Sequence, residues 1–577
     1  GSIATDLTAN KIENKNSTET STALSGLSGY YGASNQNYQT VYGDFLVTYD
    51  KQLTDKLGLN VNAGYSARQE SVFNTSVGTN GGLTVENWFA LAASKEKANS
   101  SMYKSEFLKQ ALYATASFSY GSWGYLEGTV RKERASTMLD KSYIYPSINT
   151  SIIFSELFNM PEWIDYGKVR ASYGIVGNAP GLYNAPMSYL QSSASGYTYN
   201  QIESSIGNDN INPETTYEWE FGLEGKFWKN RAGFELSYYT KDIKDMILNT
   251  TSPMSAGASS ILMNIGELNN QGVEFSAYGT LIEQKDWTLH LSGNVAWNTN
   301  KVKKLADGVS VLQHDRADNG ALYLYSFEGE KMGDIYAFAP LEDANGNKIV
   351  GADGYYKISD SPVKVGNAMP DLTGGFAVTV GWKRLTLDAN FNFQVGGAVW
   401  NWPYQYMMGT GAIAETMEHR DLAHGGISYY KDDEGNCVAA SSAPAGKTLY
   451  EDGWILDGVT ESGEKNNVIV PADMIYEETY SWGTGAPIYY SHSVFDNTYF
   501  KCRELTLTYS LPEKWISKIS CSNLRLSFFA RNPFYIYKNL PIFDAEASDS
   551  TDWKSQYKIG GATSTTRTFG FSLRANF

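Results

Sequence analysis

The feature of this sequence that most constrains its fold is a two-residue alternation of apolar and polar side chains. It is clearest at the end of the chain, where one parity carries Phe569, Phe571, Leu573, Ala575 and Phe577. The other parity carries Thr568, Gly570, Ser572, Arg574 and Asn576. Successive side chains of a β-strand point to opposite faces of a sheet. The pattern therefore predicts a strand with one apolar face that runs to the final residue.

The same alternation recurs in pairs of segments that are joined by short turns. The pairs lie near 45–51/57–67, 108–120/124–133, 147–158/166–176, 218–227/232–239, 273–277/287–297, 376–382/385–395 and 499–511/523–534. Together with the terminal strand they predict about fifteen strands, with boundary errors of a few residues. Many of these strands have roughly ten or more residues, which exceeds the ~5–6 residues typical of soluble sheets.

The connections between the strands are short within each pair and long and polar between pairs. The long ones are 68–107, 177–215, 245–269, 299–371, 397–498 and 535–566. Short turns at one end and long loops at the other are the layout of an outer-membrane β-barrel, in which closure pairs every backbone group. Aromatic residues near the strand ends fit an interfacial girdle; they are Trp219, Trp228, Tyr238, Tyr239, Trp287, Trp297 and Trp382.

These features predict an all-β chain that forms a transmembrane antiparallel β-barrel with long extracellular loops. The alternative is a soluble sandwich or propeller, whose strands also alternate. Strand length, the unequal connections and the aromatic positions all favour the barrel. The polar parity, rich in Asn, Gln, Glu and Thr, would then face a watery lumen.

Composition narrows the function classes further. The 577 residues carry a formal net charge of −16, with 19% charged and 14% aromatic residues. Nucleic-acid-binding proteins show a basic patch or stripe, so an acidic chain of this kind is not expected to bind nucleic acid. Its three cysteines, Cys437, Cys502 and Cys521, are too few for a disulfide scaffold. No apolar run approaches the ~18 residues that a membrane helix needs.

Short motifs recur in a fixed order from about residue 147 to residue 577. They are R-x-S-Y-G-x-x-G-N at 170–178, N-P-E and E-W-E at 212–214 and 218–220, N-I-G-E and G-V-E at 264–267 and 272–274, G-N-x-x-P-D and G-G-F at 366–371 and 374–376, L-T-L-T-Y-S-L-P at 505–512 and R-N-P at 531–533. Each is a turn or strand-start signal, and none is catalytic. In this order they resemble the SusC/RagA family of TonB-dependent outer-membrane transporters. Asp544-Ala545-Glu546 departs from the family's usual D-P-E.

The resemblance implies a particular place for this chain in a larger barrel. The family barrel is expected to have about 22 strands, so the strands found here would leave about seven upstream. Residues 1–577 are thus expected to be the C-terminal part of the β-barrel, beginning in an extracellular loop that includes the polar segment 1–40. The N-terminal plug domain, the TonB box and the first strands are not recognisable in the sequence.

The resemblance also implies a function, which is TonB-dependent active import of a nutrient across the bacterial outer membrane. An oligosaccharide is the expected substrate, and a SusD-like surface lipoprotein is the expected lid over the barrel. The TonB-ExbB-ExbD complex would supply energy through the N-terminal part, and transporter–lipoprotein pairs would associate as dimers. No cofactor and no nucleic-acid partner are expected.

Three alternatives remain open. The first is a peptide importer with the same architecture, because aromatic, acidic loops suit peptides nearly as well as sugars. The second is a surface adhesin built from β-repeats, which would be soluble without detergent. The third is a β-fold glycosidase, which would need two carboxylates ~5–10 Å apart in a cleft.

The candidate ligand site is a group of aromatic residues in the connection 397–498. Trp400, Trp402, Tyr404 and Tyr406 lie just beyond Gly396-Gly397, at the predicted outer mouth of a strand. An aromatic face can lie against the C–H surface of a sugar ring while nearby polar groups bind its hydroxyls. Further loop aromatics are Trp88, Phe89, Tyr197, Tyr199, Trp454, Trp482, Tyr489 and Tyr490. The alternative is that these residues pack the loops together or contact a partner.

Catalytic and metal-binding motifs are absent from the sequence. The five histidines form no H-E-x-x-H motif, and His419 and His424 lie in a polar loop where solvation is the simpler explanation. Residues 343–347 resemble the start of an EF-hand loop. However, Lys348 occupies the position that requires glycine, and no bidentate Glu follows at the twelfth position. The segment is therefore predicted to be a turn, and a Ca²⁺ site there is a minor alternative.

Overall fold

The structure is a computed structural model that describes most of the chain. The described residues are 1–19, 28–138, 141–184, 189–194, 197–251, 255, 257–306, 308–317, 320–480, 490–516, 521–547, 552–560 and 565–576. They divide into two compact units. The first unit comprises Gly1–Met160, Tyr166–Gly222 and Tyr239–Glu267, and the second comprises Pro161–Asp165, Leu223–Tyr238 and Leu268–Phe577.

One sheet of sixteen strands accounts for most of the architecture, and strands that neighbour each other in the sequence are neighbours in the sheet. Its strands are β1 (Ser2–Asn16), β2 (Tyr30–Gln52), β3 (Leu57–Leu83), β4 (Ser94–Tyr120), β5 (Gly124–Ala135), β6 (Tyr143–Ile153), β7 (Ile164–Asn178), β8 (Glu214–Phe227), β9 (Ala232–Lys244), β10 (Glu267–Glu283), β11 (Trp287–Lys304), β12 (Pro370–Trp382), β13 (Leu385–Gly396), β14 (Tyr499–Ser510), β15 (Asn523–Lys538) and β16 (Thr568–Asn576). Strand pairs within each unit are antiparallel. This order is a simple meander, as the repeated hairpins predict.

The connections are unequal in the way that the sequence predicts. Five of them are very short, at 53–56, 121–123, 228–231, 284–286 and 383–384. Those that alternate with the short ones include 179–213, 245–266, 305–369, 397–498 and 539–567. Residues with positive φ allow the sharpest reversals, as at Lys383 with φ of 55° and at Trp228, Lys229 and Asn230.

The structure differs from the sequence analysis at the start of the chain. Residues 1–40 were expected to be a loop, but Ser2–Asn16 forms β1 and pairs along its whole length with residues 30–44 of β2. Polar side chains occupy both parities of β1, and every residue in it is exposed. The apolar alternation that marks the other strands is therefore missing. The wider expectation, that these residues belong to the C-terminal part of a larger barrel, stays a prediction.

The expected loop at 68–107 is also much shorter than predicted. Strand β3 continues to Leu83 and β4 begins at Ser94, and their pairing remains in register from Leu57↔Tyr120 to Gly78↔Asn99. Only residues 84–93 connect them. The distal part of this hairpin is polar on both faces, so hydrophobic periodicity could not reveal it.

The apolar parity of the sheet strands is exposed rather than buried. In β16, Phe571 has 77% of its surface accessible, and Phe569 and Leu573 are similarly exposed. Leu112, Leu126, Trp219, Leu281 and Leu387 are exposed on other strands. An apolar surface repeated over so many strands is what a lipid-facing sheet presents.

Tryptophans lie at one end of the strands of the second unit. Trp228, Trp287 and Trp382 are at or beside short connections, Trp163 stacks on Trp228, and Trp515 lies in the connection 511–522; all five are about half exposed. The rings of Trp163 and Trp228 are 6.1 Å apart, and those of Trp287 and Trp382 are 6.0 Å apart. Indole rings at one end of the strands form the aromatic belt expected at a membrane–water interface.

The long connections contain secondary structure of their own. In the second unit they include a four-stranded sheet of Val311–Ala317, Leu322–Phe327, Met332–Ala337 and Val363–Asn367, and another of Ile427–Lys431, Cys437–Ala439, Tyr450–Trp454 and Val470–Pro471. A three-stranded sheet places Ala398–Asn401 between Val494–Asp496 and Lys558–Ile559, and a two-stranded sheet pairs Ile349–Val350 with Val459–Thr460. The helices of these connections are Trp402–Gly409, Ala472–Tyr480 and Trp553–Gln556. Helix Glu513–Ile516 lies in the connection between β14 and β15. Leu322, Leu324, Ile335, Ala337, Trp400 and Tyr557 belong to one buried cluster of these connections.

The connections of the first unit are smaller. They contain the hairpin Tyr189–Ala194/Tyr197–Ile202, a three-stranded sheet of Ser205–Ile206, Ser260–Asn264 and Ile247–Thr251, and the one-turn helix Phe154–Leu157. Ile211 and Leu262 form a small buried cluster beside Ile247. Within the described residues, no helix is both long and apolar enough to cross a membrane.

Candidate functional site

The motif residues of the first unit join adjacent strands. The Arg170 guanidinium on β7 contacts the Glu220 carboxylate on β8 at 2.9 Å, and the Tyr173 ring lies 4.6 Å from the Trp219 ring. Gly222 makes room for Arg170, because a Cβ at that position would lie 2.3 Å from the arginine Nε. These residues are strand-pairing contacts, as their sequence pattern predicts.

A second set of motif residues fixes the connection 245–266 to the start of β8. The Asn264 side-chain amide donates to the backbone oxygens of Asn212, at 2.8 Å, and Asp245, at 2.9 Å. The Glu214 carboxylate accepts a hydrogen bond from the backbone N–H of Ile247 at 2.7 Å. The N-P-E and N-I-G-E motifs therefore act together as one clamp between two connections.

The candidate aromatic residues follow directly from the end of β13. Gly396 and Gly397 have φ of 74° and 79°, a conformation that glycine adopts without strain, and they turn the chain away from the strand. A short strand, Ala398–Asn401, comes next. The Asn401 side chain then caps the helix Trp402–Gly409 by accepting a hydrogen bond from the Tyr404 backbone N–H at 3.1 Å.

The helix separates the four candidate residues. Trp400 is buried, donates from Nε1 to Gln405 at 3.0 Å and contacts the Tyr490 ring edge-on at 5.7 Å. Tyr404 packs against Phe495 at 5.2 Å. Trp402 and Tyr406 are four residues apart on one helix side, with ring centroids 6.2 Å apart, and Tyr406 is 48% exposed. The accessible aromatic surface thus belongs to Tyr406 and part of Trp402, and its role in ligand binding stays a prediction.

The other loop aromatics occupy different environments. Tyr197, at 78% exposure, and Tyr199 lie on the exposed hairpin of the first unit, and Trp88 is half exposed with Phe89 beside it. Trp454 stacks on His419 at 4.3 Å, whereas Tyr490 is buried. Trp482 and Tyr489 lie outside the described residues.

A buried charge cluster at the ends of β13, β14 and β15 escaped the sequence analysis. Lys501 on β14 is only 1% exposed, and its Nζ lies 3.1 Å from Asp544 and 2.7 Å from Glu546. The Tyr535 ring lies 4.9 Å from the same Nζ, and Arg503 also pairs with Glu546. The only sequence signal was the D-A-E motif, which supplies both carboxylates.

The cluster pairs buried carboxylates with cations and holds residues 544–546 against the ends of the strands. Burial alone would raise the pKa of Asp544, but hydrogen bonds from Thr565, Tyr535, the Glu546 backbone and Lys501 outweigh burial and lower that pKa. The Glu546 carboxylate also accepts from the Tyr499 hydroxyl at 3.1 Å and from the Asn392 amide at 3.0 Å. Alanine in place of the family's proline is thus compatible with a fully anchored segment.

A cavity of about 620 Å³ in the second unit crosses β8 to β13. It is lined by Glu224, Lys226, Glu235, Tyr278, Ser292, Asn294 and Asn390 of the polar parity and by Phe234, Phe376 and Phe391 of the apolar parity, among others. A cavity above 300 Å³ with carboxylate, amide and hydroxyl groups is large enough for a small-molecule ligand.

The other candidate chemistry has structural explanations. Asp343 accepts hydrogen bonds from the backbone N–H groups of Asn345 and Asn347, at 2.8 and 2.9 Å, which is the geometry of a turn. In the described part of the chain, no group of three or more His, Cys, Asp and Glu side chains could hold a metal ion. Burial, with the charge of Lys554, lowers the pKa of His314 to about 4, and burial with Lys348 does the same for His492.

Comparison with known proteins identifies related chains. The family model described as TonB dependent receptor-like, beta-barrel, matches residues 5–436. TonB-dependent receptor P3 of Formosa agariphila is 24% identical over 594 residues, which cover 96% of this chain and 54% of that receptor. TonB-dependent receptor SusC of Bacteroides thetaiotaomicron is 29% identical over 150 residues, or 24% of this chain and 15% of SusC.

A solved structure shares the fold. The RagAB peptide transporter superposes with a TM-score of 0.68 over 93% of this chain and 56% of the other chain, at 20% sequence identity. A likeness at this identity concerns the fold alone. The present chain spans about half the length of the P3 receptor and of the RagAB chain.

Proposed function

The chain belongs to the TonB-dependent receptor-like β-barrel family, and on that premise we propose that it takes part in active import of a nutrient across the outer membrane. Membership confirms the predicted family and the predicted outer-membrane location. It also agrees with the expectation that nothing is chemically converted, because TonB-dependent transporters are not enzymes. The observation that best supports transport is the division of the sheet strands into an exposed apolar parity and a polar parity, which is the pattern of a lipid-embedded β-barrel.

The proposed substrate is an oligosaccharide. Tyr406 and Trp402 offer an exposed aromatic surface on one helix side, and the polar parity offers amide and carboxylate groups. These two kinds of group suit the C–H faces and the hydroxyls of a sugar. A peptide importer of the same architecture is the second candidate. RagAB is a peptide transporter, and its likeness to this chain favours that candidate only through the shared fold.

The proposed partners follow from the family. A SusD-like surface lipoprotein would cover the long connections, and the TonB-ExbB-ExbD complex would supply energy. Because the chain covers 54% of the P3 receptor, the plug and the TonB-contacting segment are proposed to belong to the rest of the transporter. The pairing of two transporter–lipoprotein units is likewise a proposal.

A membrane-extraction experiment tests the outer-membrane barrel against the adhesin alternative. We expect the protein to need detergent for extraction and to change its gel mobility on boiling, because a closed sheet resists unfolding by detergent alone. Release into buffer without detergent, with unchanged mobility on boiling, would favour the adhesin.

An uptake experiment tests the substrate class. Cells with and without the gene are given labelled neutral oligosaccharides or labelled peptides, in the presence and absence of TonB. We expect gene- and TonB-dependent oligosaccharide uptake. Tyr406→Ala is expected to weaken oligosaccharide binding by about five- to tenfold, since one aromatic contact contributes about 1 kcal/mol. Tyr189→Ala, at an exposed tyrosine of the first unit, is the matched control. Uptake of peptides alone would favour the second candidate.

A further inference from the structure

Cations are concentrated in three neighbouring connections of the second unit, 284–286, 383–384 and the described residues 511–516. These residues form a basic end of the strands, with four cations and two carboxylates, all of them exposed. The cations are Lys285, Lys383, Arg384 and Lys514, and the carboxylates are Asp286 and Glu513. The whole chain has a formal net charge of −16, so an excess of positive charge at one end of the strands is a local feature. It favours a negatively charged partner there.

Backbone hydrogen bonds hold the three connections side by side. The Lys383 N–H donates to the Asp286 backbone oxygen at 2.8 Å, and the Ser510 N–H donates to the Arg384 backbone oxygen at 2.9 Å. The Arg384 guanidinium donates to the Leu511 backbone oxygen at 3.2 Å. The basic end is therefore one continuous surface on a fixed backbone, rather than three independent turns.

The ammonium of Lys383 lies at the aromatic belt. Its Nζ is 5.3 Å from the centroid of the Trp382 ring, and that ring is 6.0 Å from the Trp287 ring. Trp287 and Trp382 are paired across adjacent strands and belong to the exposed apolar parity. Indole rings of such a belt lie at the depth of the lipid headgroups. The contact therefore holds a positive charge at headgroup depth, beside the lipid-facing surface.

The charged neighbours of this surface leave the two lysines without a balancing carboxylate contact. Arg231, in the next connection, lies 3.6 Å from Glu283 at the end of β10, so these two side chains compensate each other. Among the described residues, neither Lys285 nor Lys383 forms an ion pair. A lysine ammonium is a compact charge with three donors, and it binds phosphate oxygens well.

We propose that the basic end is a docking site for the headgroup of an anionic glycerophospholipid in the leaflet next to the short connections. Lys285 and Lys383 bind the phosphate, and Trp287 and Trp382 pack against the glycerol and the first acyl carbons. The cations continue directly from the lipid-facing surface, and the indoles supply an apolar contact that a free anion cannot use. This inference depends on the outer-membrane location and is independent of the transported substrate.

Native mass spectrometry of the complete transporter in detergent tests this proposal by counting bound lipids. The probes are phosphatidylglycerol and zwitterionic phosphatidylcholine with identical acyl chains. We expect the first phosphatidylglycerol to bind at least tenfold more tightly than the first phosphatidylcholine, because each interfacial cation strengthens the binding of an anionic lipid about fivefold. Lys383→Gln should reduce this preference about fivefold, and the double change Lys285→Gln and Lys383→Gln should abolish it.

The matched control is Lys465→Gln. Lys465 is an exposed lysine in a long connection of the second unit, so its loss changes the net charge equally at a distant place in the chain. Heat-dependent gel mobility is measured for each variant, so that lipid binding is compared only between folded barrels. Equal affinity of the unaltered protein for the two lipids would overturn the proposal, as would equal effects of Lys383→Gln and Lys465→Gln.

Two further probes separate this lipid from other sources of phosphate. Inorganic phosphate at the same concentration should not displace phosphatidylglycerol, and the binding of lipopolysaccharide should not depend on Lys383. Displacement by inorganic phosphate would reduce the surface to a general anion site. Lys383-dependent binding of lipopolysaccharide, the anionic lipid of the opposite leaflet, would contradict the assigned leaflet. Either result would overturn the proposal.

Discussion

Two strands of the second unit have the same two-residue alternation of apolar and polar side chains. One strand buries its apolar side chains, and the other exposes them. Leu322–Phe327 lies in a long connection, and its apolar residues Leu322 and Leu324 are completely buried. Strand β16 lies in the large sheet, and Phe569, Phe571 and Leu573 are exposed. A two-residue period therefore identifies a strand and its apolar face without identifying what covers that face. In the connection the cover is protein, and in the sheet it is lipid.

The second unit also contains both buried and exposed ion pairs. In the outer part of the second unit, Lys501 and Asp544 are almost fully buried and bonded on several sides. On the sheet, the pair Arg531–Glu504 is exposed, with 62% of the arginine side chain accessible. Buried pairs are expensive to break, whereas exposed pairs contribute little.

The largest predicted effect is at Lys501. Lys501→Met should lower the free energy of unfolding by about 3–5 kcal/mol, because it leaves Asp544 and Glu546 buried with less compensation. Arg531→Met should cost about 0–1 kcal/mol, because its pair with Glu504 is exposed. Thermal unfolding of both variants in detergent measures the difference. Equal costs would show that the outer cluster is no more buried in solution than the sheet pair.

A second prediction compares two leucines on strands. Leu324→Ala should lower stability by about 3 kcal/mol, because it leaves a cavity in a protein core. Leu573→Ala should cost less than about 1 kcal/mol, because lipid can fill the space and leucine gains little per residue there. Limited proteolysis of the connections and heat-dependent gel mobility measure the two regions separately. A large cost at Leu573 would contradict the lipid-facing assignment.

A third prediction uses pH to act on the connections alone. Burial holds the pKa of His314 and His492 at about 4, below the ~6.5 of an unfolded histidine. As the pH falls from about 6.5 to about 4, the unfolded chain binds protons at these histidines and the folded chain does not. The folded state therefore loses stability that is fully present above about pH 6.5. The loss should be about 1 kcal/mol per pH unit for each histidine.

Histidine variants provide the control for this pH dependence. His314→Asn should reduce the slope of proteolytic stability against pH between about 6.5 and 4. The same change at His424, which is exposed, should leave the slope unchanged. A slope that does not respond to either change would assign the pH effect to other groups.

The smallest predicted effect concerns two similar turns. Asp343 and Asp432 each accept hydrogen bonds from backbone N–H groups two and four residues later. Asp343→Ala and Asp432→Ala should each make hydrogen exchange at the turn faster, because each removes the acceptor of two backbone N–H groups, and added Ca²⁺ should not change the unfolding temperature. Hydrogen exchange of the two turns measures this effect. A Ca²⁺-dependent rise in unfolding temperature that disappears in Asp343→Ala would restore the cation-site alternative.

Much of the sheet could be predicted from the sequence because lipid exposure demands apolar residues at every second position. Strands such as β12 and β13 carry this signal along most of their length, and their short turn at 383–384 was found directly. Strand β1 was missed because neither of its faces is apolar. Its pairing with β2 depends on backbone hydrogen bonds, which leave no mark on the side-chain pattern.

The candidate site was less predictable. The positions of Trp400, Trp402, Tyr404 and Tyr406 suggested one aromatic face, but the Asn401 cap and Pro403 begin a helix that puts only Trp402 and Tyr406 side by side. Trp400 is buried by Tyr490, which lies ninety residues later in the chain. Contacts between distant connections depend on the packed tertiary structure, so local periodicity cannot supply them. The same reason explains why the cluster around Lys501 was not found.

The tryptophans at one end of the strands allow membrane insertion of this protein to be followed by fluorescence. Indole emission shifts to shorter wavelengths when the ring leaves water for an apolar environment. Five tryptophans are about half exposed and would shift their emission maximum together on contact with a bilayer; they are Trp163, Trp228, Trp287, Trp382 and Trp515. Trp400 is enclosed by protein, so its emission maximum would not change when the strands enter the bilayer. Emission could thus time membrane entry separately from the folding of the outer connections.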